Sequence, residues 1–377
     1  MNNDYNFWNN YLIDTYDKLK KLVGEKDIIR ADFHVHSNYS ADSDVSLEQI
    51  ISRAINLKFD IISVTDHDSV DVYDELYEIL LKQEIDNLII IPGVEFTIDN
   101  KEYGSQFHML QLMINPKSES IIKDTKYQKE ACWYRASRQF ERLSYNKAMQ
   151  YFIDQYNIEC SMDRYKQYLS KCFRPIPEYK TLMEYIMSEF IPHGITNWNI
   201  FEMMEKYNDN DPCYDRKQIK INNFIKLKTR FINQEDSNYN KRFFHCLLAV
   251  KGADDDYFPD YECEGDLSVN HFNELKLFEL NRDNLTFFAH PSEDKLDLLN
   301  NLLKLNPNIC GMEFNKRCKY NDPKLFFKKQ KELNLIKIIG SDIHDIDSDL
   351  YQNLDFYNHS KDEINSLINM ASKFIDK

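Results

Sequence analysis

The chain is poor in residues that interrupt structure. Eight glycines and ten prolines among 377 residues leave little material for long flexible linkers. It also lacks any C-x-x-C pair. Cys132, Cys160, Cys172, Cys213, Cys246, Cys263, Cys310 and Cys318 are scattered, which argues against thiol zinc ribbons and dithiol redox motifs. Such thiols are expected to be reduced and structural in a cytoplasmic protein. No apolar run is long enough to cross a bilayer, and residues 1–22, MNNDYNFWNNYLIDTYDKLKKL, lack the apolar centre of a secretion signal. Positive charge is scarce too, the formal net charge being −15. Gripping long nucleic acid by its phosphates needs a basic surface, so that class is excluded, and no membrane partner is expected. A small phosphorylated substrate stays open, because bound cations can supply local positive charge.

What is present suits a globular protein with a real core: 42% of residues are hydrophobic and 29% charged. The length fits one large α/β domain with an insertion, or two domains. Residues 1–28 read as a helical extension, with Trp8, Tyr11, Leu12, Tyr16 and Leu19 at helical spacing. Seven short apolar runs follow: IIRADFHVHS, FDIISVTDHD, NLIIIPGVEF, FHMLQLMI, LTFFAHP, ICGMEFN and IKIIGSDIHD. Each has strand length and β-branched or aromatic content. Helical patterns such as SLEQIISRAINLK lie between several of them, with Ser46 as the expected N-cap. The alternation predicts a parallel sheet or an α/β barrel, in two parts, 29–115 and 271–377. Residues 116–270 read as a mainly helical inserted (cap) domain, where Trp133, Ala136, Phe140 and Leu143 form one stripe.

Five of the seven runs end in imidazole or carboxylate groups. They carry His34 and His36, then Asp66 and His67, then Glu95, then His290, then Asp342 and His344. In an α/β barrel these ends converge on one rim. His108 is different, since it stands at the beginning of its run, and strand-end logic does not place it. Histidine nitrogen with carboxylate oxygen suits Zn²⁺, Mn²⁺ or Fe, without choosing among them.

With HVHSNYSADSD, VTDHD, PGVE, FHMLQ, AHP and GSDIHD in this order, the chain resembles the PHP (polymerase and histidinol phosphatase) superfamily of metal-dependent phosphoesterases. The resemblance covers residues 29–115 and 275–350. It implies a distorted seven-stranded (β/α)7 barrel and two or three divalent ions (Mn²⁺, Zn²⁺ or Fe²⁺). In a trinuclear site, one metal would be held by His34, His36, Glu95 and Asp342. A second would share Glu95 and add His108 and His290, and a third would use Asp42, His67 and His344. Aspartate rather than histidine at position 42 resembles the branch acting on nucleoside 3′,5′-bisphosphates and short oligonucleotide ends. The implied reaction is attack on phosphorus by a hydroxide bridging two cations. Asp66, Asp68 and Asp345 adjoin these ligands; they are candidates for proton transfer or for orienting imidazoles, and capping of turns is the plainer alternative.

Arg135, Arg138 and Arg142 share a helix face opposite the apolar stripe, and arginine suits phosphate. The resembling branch carries phosphate-binding arginines early in its insertion, which leaves open which of the three would serve. Lys316 and Arg317 follow the sixth run as further candidates. The acidic stretch 252–266 reads as a solvated loop. The expected function is hydrolysis of a small phosphomonoester, with a nucleotide as the leading substrate. The alternatives are an exonuclease on short RNA or DNA ends and a non-catalytic metal-binding module for a partner.

Overall fold

The computed structural model describes residues 2–40, 42–82, 85, 87–100, 105–143, 147–172, 176–177, 179–196, 199–200, 203, 206, 272–273, 284–316, 322–345 and 349–375. Its helices are α1 (Asn2–Glu25), α2 (Leu47–Asn56), α3 (Val72–Lys82), α4 (Glu119–Leu143), α5 (Lys147–Tyr156), α6 (Met162–Lys171), α7 (Tyr179–Phe190), α8 (Leu298–Leu305), α9 (Lys324–Glu332) and α10 (Lys361–Ile375). The N-terminal stripe places Trp8 and Leu19 fully buried on α1. Ser46 caps α2 reciprocally: its Oγ accepts from the Gln49 N–H, and Gln49 Oε1 accepts from the Ser46 N–H.

The strands are β1 (Ile28–Val35), β2 (Ile61–Val64), β3 (Ile89–Asn100), β4 (Ser105–Leu112), β5 (Phe272–Asn273), β6 (Leu285–Phe288), β7 (Ile309–Asn315), β8 (Ile336–Gly340) and β9 (Asn358–Ser360). All except β5 and β9 are the seven apolar runs. Their order is β8-β7-β6-β4-β3-β2-β1-β9, with β5 beside β3. The sheet is mixed rather than wholly parallel. β4 runs antiparallel to β3 and β6, and β9 antiparallel to β1. Only residues 101–104 separate β3 from β4, whereas a parallel return needs a crossover of roughly a dozen residues or more.

The sheet curls far enough for β1 to meet the chain leaving β8. Val35 bridges Ile343, the Asp342 N–H donates to His34 O (2.8 Å), and the His36 N–H donates to Ile343 O (3.2 Å). The fold is therefore α/β and barrel-like, a curled mixed half-barrel. Strand alternation sorts its two faces. Ile62, Ile90, Met109, Phe288 and Ile339 belong to one apolar layer with α2, α3, α8 and α9. Their chain neighbours Ile61, Ile91, Leu110, Phe287 and Ile338 belong to a second layer with α1 and α10.

The chain divides into two units, Met1–Lys129 with His271–Lys377, and Glu130–Asn270. The second has its own helical core, including Ala136, Phe152, Tyr165, Leu182, Tyr185 and Phe190. Trp133 and Phe140 pack against that core, while the Leu143 side chain lies outside the described residues. So do the acidic stretch 252–266, Cys213, Cys246, Cys263 and Cys318. Cys132, Cys160, Cys172 and Cys310 form no disulfide. Among the described residues no helix is long and apolar enough to cross a membrane.

Candidate metal centre

Alternation along β3 puts Glu95 on the face of Ile91, opposite Val94 and Phe96. On β4, His108 shares a face with Leu110 and Leu112. Because β4 is antiparallel, its beginning lies beside the end of β3. Thr97 pairs with His108, and the Ala289 N–H donates to His108 O (3.0 Å). Strand direction thus brings His108 to the rim where the parallel strands end.

Glu95 is the hub. Its Oε2 lies 2.9 Å from His34 Nε2, 3.1 Å from His36 Nε2 and 3.2 Å from His67 Nδ1. Its Oε1 lies 2.9 Å from His108 Nδ1 and 3.0 Å from His290 Nε2. Asp342 Oδ1 is 3.2 Å from His36 Nε2 and 3.7 Å from both His34 Nε2 and His344 Nε2. Asp42 Oδ2 is 2.7 Å from His344 Nε2 and 3.6 Å from His67 Nε2. The nine side chains named from the sequence form one continuous cluster. Their potential ligand atoms fall into three groups, each within 4.8 Å: His36, Asp42, His67 and His344; His34, Glu95, His290 and Asp342; His67, Glu95 and His108. This grouping differs from the one the resemblance implies. His36 sits with the Asp42 group, His290 with His34, and His67 serves two groups.

The donor set itself fits cations. Five imidazole nitrogens surround the two oxygens of one buried carboxylate. His34 Nε2 and His36 Nε2 face each other at 2.9 Å, and His108 Nδ1 and His290 Nε2 at 3.3 Å. Divalent cations accept lone pairs from neutral imidazole and carboxylate alike, so they reconcile such facing nitrogens. The electrostatics agree. Burial alone would raise Glu95, but His34, His67 and His108 hold it well below the usual carboxylate range. Burial alone would likewise raise Asp42, yet His67 and His344 keep it well below. Burial works to lower His36, but hydrogen bonds to Asp342 and Glu95 outweigh it and push it up to about 10. Anionic carboxylates here demand positive charge, from imidazolium protons or from metal ions.

Two further features mark the centre. The His34, His36 and Glu95 side chains are 0% exposed, whereas Asp42, His67, His344, His108 and His290 are 27%, 20%, 17%, 24% and 25% exposed, so solvent reaches every group. Asp342 (φ 52°) and His290 (φ 24°) have left-handed backbone conformations. Such strain in non-glycine residues clusters at functional sites.

The other candidates are placed differently. Asp66 is buried; its Oδ1 accepts from the Ser37 N–H and its Oδ2 from the Ser37 hydroxyl, both at 2.6 Å. Burial pushes it up to about 6. Asp68 Oδ1 accepts from the Thr97 N–H (2.9 Å) and Gln128 Nε2 (2.7 Å), fastening α4 to β3. The Asp66 bonds hold the chain at Ser37, and the Asp68 bonds join a helix to a strand. Asp345 is exposed beyond His344. The Lys316 ammonium lies over Phe356 (4.9 Å) and Tyr357 (5.4 Å) and reaches Asn353 O at 3.5 Å. Arg135, Arg138 and Arg142 are on α4, but their side chains, like Arg317 altogether, lie outside the described residues.

Sequence reasoning missed Asp32 and Glu313. Asp32 Oδ1 accepts from the His34 and Ser341 N–H groups (3.2 and 2.9 Å), and its Oδ2 from the Tyr351 hydroxyl (2.6 Å). Glu313 is fully buried on β7, 2.9 Å from His34 Nδ1. The available signal was an acidic residue inside an otherwise apolar run, since carboxylates are seldom fully buried unless paired.

Against known proteins, the PHP domain family model matches residues 32–196. No curated protein matches the chain. Among solved structures, it is similar to a Bifidobacterium adolescentis protein assigned as a metal-dependent phosphoesterase. That match has 15% identity and a TM-score of 0.52, covering 92% of this chain and 98% of that one. It is also similar to a Chromobacterium violaceum amidohydrolase with bound sulfate and no metal, at 14% identity and a TM-score of 0.46, covering 88% and 98% of the two chains. The first likeness carries the fold.

Proposed function

We propose that this chain is a PHP-domain metal-dependent phosphoesterase that releases phosphate from a small phosphomonoester, with a nucleotide such as a nucleoside 3′,5′-bisphosphate as the first candidate. The observation that carries the reading is the convergence of nine histidine and carboxylate side chains, with buried Glu95 as their hub, at the strand ends. The three groups around His36, His34 and His108 would hold divalent ions. Such ions, when bound, neutralise phosphoryl oxygens and lower the pKa of water.

The chain's own residues supply the rest. Glu95 faces imidazoles of all three groups, through His34 and His290, through His36, and through His67 and His108. One buried carboxylate therefore holds the groups at fixed separation. The fully buried His34 and His36 form the closed wall, and the partly exposed Asp42, His67, His108, His290 and His344 form the side from which a phosphate would enter. Net charge of −15 supports a small substrate over a long polyanion. Asp42 beside His67 and His344 supports the nucleotide assignment through the resemblance stated above.

The test is phosphate release by the Mn²⁺-loaded protein from adenosine 3′,5′-bisphosphate, beside a panel of other phosphomonoesters and a short oligonucleotide. Release from the bisphosphate that His34→Ala abolishes would support the proposal. Release from another monoester alone, or trimming of the oligonucleotide alone, would overturn the substrate. Inertness toward the whole panel would overturn phosphoester hydrolysis.

A further inference from the structure

We propose that Glu313 is the positioning residue of this centre, fixing the ring of His34 and the backbone of His290 together. The inference rests on reading the cluster as a cation centre, and adds what orients it. Glu313 lies on β7 with no solvent exposure. Its Oε2 accepts from His34 Nδ1 (2.9 Å) and from the His290 N–H (2.9 Å), and its Oε1 accepts from Asn315 Nδ2 (3.1 Å).

A proton held at Nδ1 by this carboxylate leaves the Nε2 lone pair of His34 free to face the cluster. Nε2 is the atom 2.9 Å from Glu95. The partner of the remote ring nitrogen thus chooses the tautomer and stops the ring from turning. The second bond acts on a neighbouring ligand. His290 has φ 24°, a conformation that a non-glycine residue keeps only when its surroundings impose it. The Glu313 oxygen on its N–H is one such restraint. One oxygen thereby ties His34 on β1 to His290 just beyond β6.

An independent observation shows that the pair is built in. Gly340 on β8 faces it: a Cβ there would come 2.2 Å from Glu313 Oε1 and 2.4 Å from His34 Cβ. Three strands therefore cooperate, β1 presenting the imidazole, β7 the carboxylate and β8 the space for both.

The experiment is divalent-ion uptake by the full chain, with Mn²⁺ affinity and stoichiometry read by calorimetry and the Co²⁺-loaded absorption spectrum as a geometric readout. Glu313→Ala should weaken binding roughly 10–100-fold and alter the Co²⁺ spectrum. Glu313→Gln keeps an acceptor for His34 Nδ1 and should recover part of the affinity. Wild-type affinity and an unchanged spectrum in both variants would overturn the proposal while leaving the cation centre standing. A wild-type chain that takes up no divalent ion would overturn the centre and this role together. If neither variant folds, ¹⁵N spectra of histidine-labelled, Zn²⁺-loaded wild type decide. His34 protonated at Nδ1 supports the role of Glu313, and protonation at Nε2 overturns it.

Discussion

Mild acid should destabilise the first unit through His359, a histidine outside the nine-residue cluster. His359 sits on β9 opposite Ile29 of β1 and is 1% exposed. Its ring packs edge-on against Phe33 at 5.3 Å, and Nδ1 lies 3.1 Å from Tyr357 O. Burial lowers its pKa; Glu363 opposes and Lys337 assists, leaving about 4 against the ordinary 6.5. The folded state thus keeps His359 neutral where the unfolded chain takes up a proton. The stabilisation is complete above 6.5 and is lost as the pH falls toward 4. At 1.36 kcal/mol per pKa unit, the full loss is about 3 kcal/mol, of which about 2 kcal/mol falls between about pH 7.5 and about pH 5. Other buried groups titrate in the same window. Asp32, raised to about 6 chiefly by burial, favours the fold as pH drops. The comparison is therefore between wild type and His359→Leu, which cannot charge. Urea unfolding of chelator-treated protein would be followed by the fluorescence of buried Trp8, with Trp133 and Trp198 replaced by Phe. The variant should lose about 2 kcal/mol less than wild type between the two pH values. Parallel pH dependences would refute the argument.

Three other outcomes follow from the packing. The buried Tyr73 hydroxyl accepts from the Gly93 N–H (2.6 Å) and lies 2.5 Å from Val64 O; Tyr73→Phe leaves that N–H without this partner and should cost about 1–3 kcal/mol in urea unfolding, with metal stoichiometry unchanged. Gly340→Ala forces a methyl group onto Glu313 and His34; it should cost about 1–3 kcal/mol and weaken Mn²⁺ uptake, as titration would show. Metal removal should lower the melting temperature, since a cation at a hundred times its Kd contributes about 2.7 kcal/mol. A melting temperature indifferent to chelator and to added Mn²⁺ would contradict the cation centre.

Local pattern made much of this protein legible. Apolar runs of strand length, the Ser46–Gln49 cap and the stripe of α1 depend on residues close in sequence, and each forms where the pattern puts it. The ordered motifs likewise named nine polar residues that the fold gathers. Other features depended on neighbours that sequence spacing does not reveal. The short β3–β4 connection makes β4 antiparallel, and that direction alone carries His108 to the rim. The division into three groups follows side-chain reach, so His67 bridges two of them. Asp66 and Asp68 looked chemical from their position, but their oxygens hold Ser37, Thr97 and Gln128. Glu313 is the clearest case. It stands 279 positions from His34, and only the curling of the sheet, with glycine at 340 conceding space, brings the two together. Sequence determined which segments are strands and which residues can bind cations, because periodicity and side-chain chemistry are local. Tertiary structure decided which of them meet and which way each ring faces, because those depend on strand direction and on atoms contributed from far along the chain.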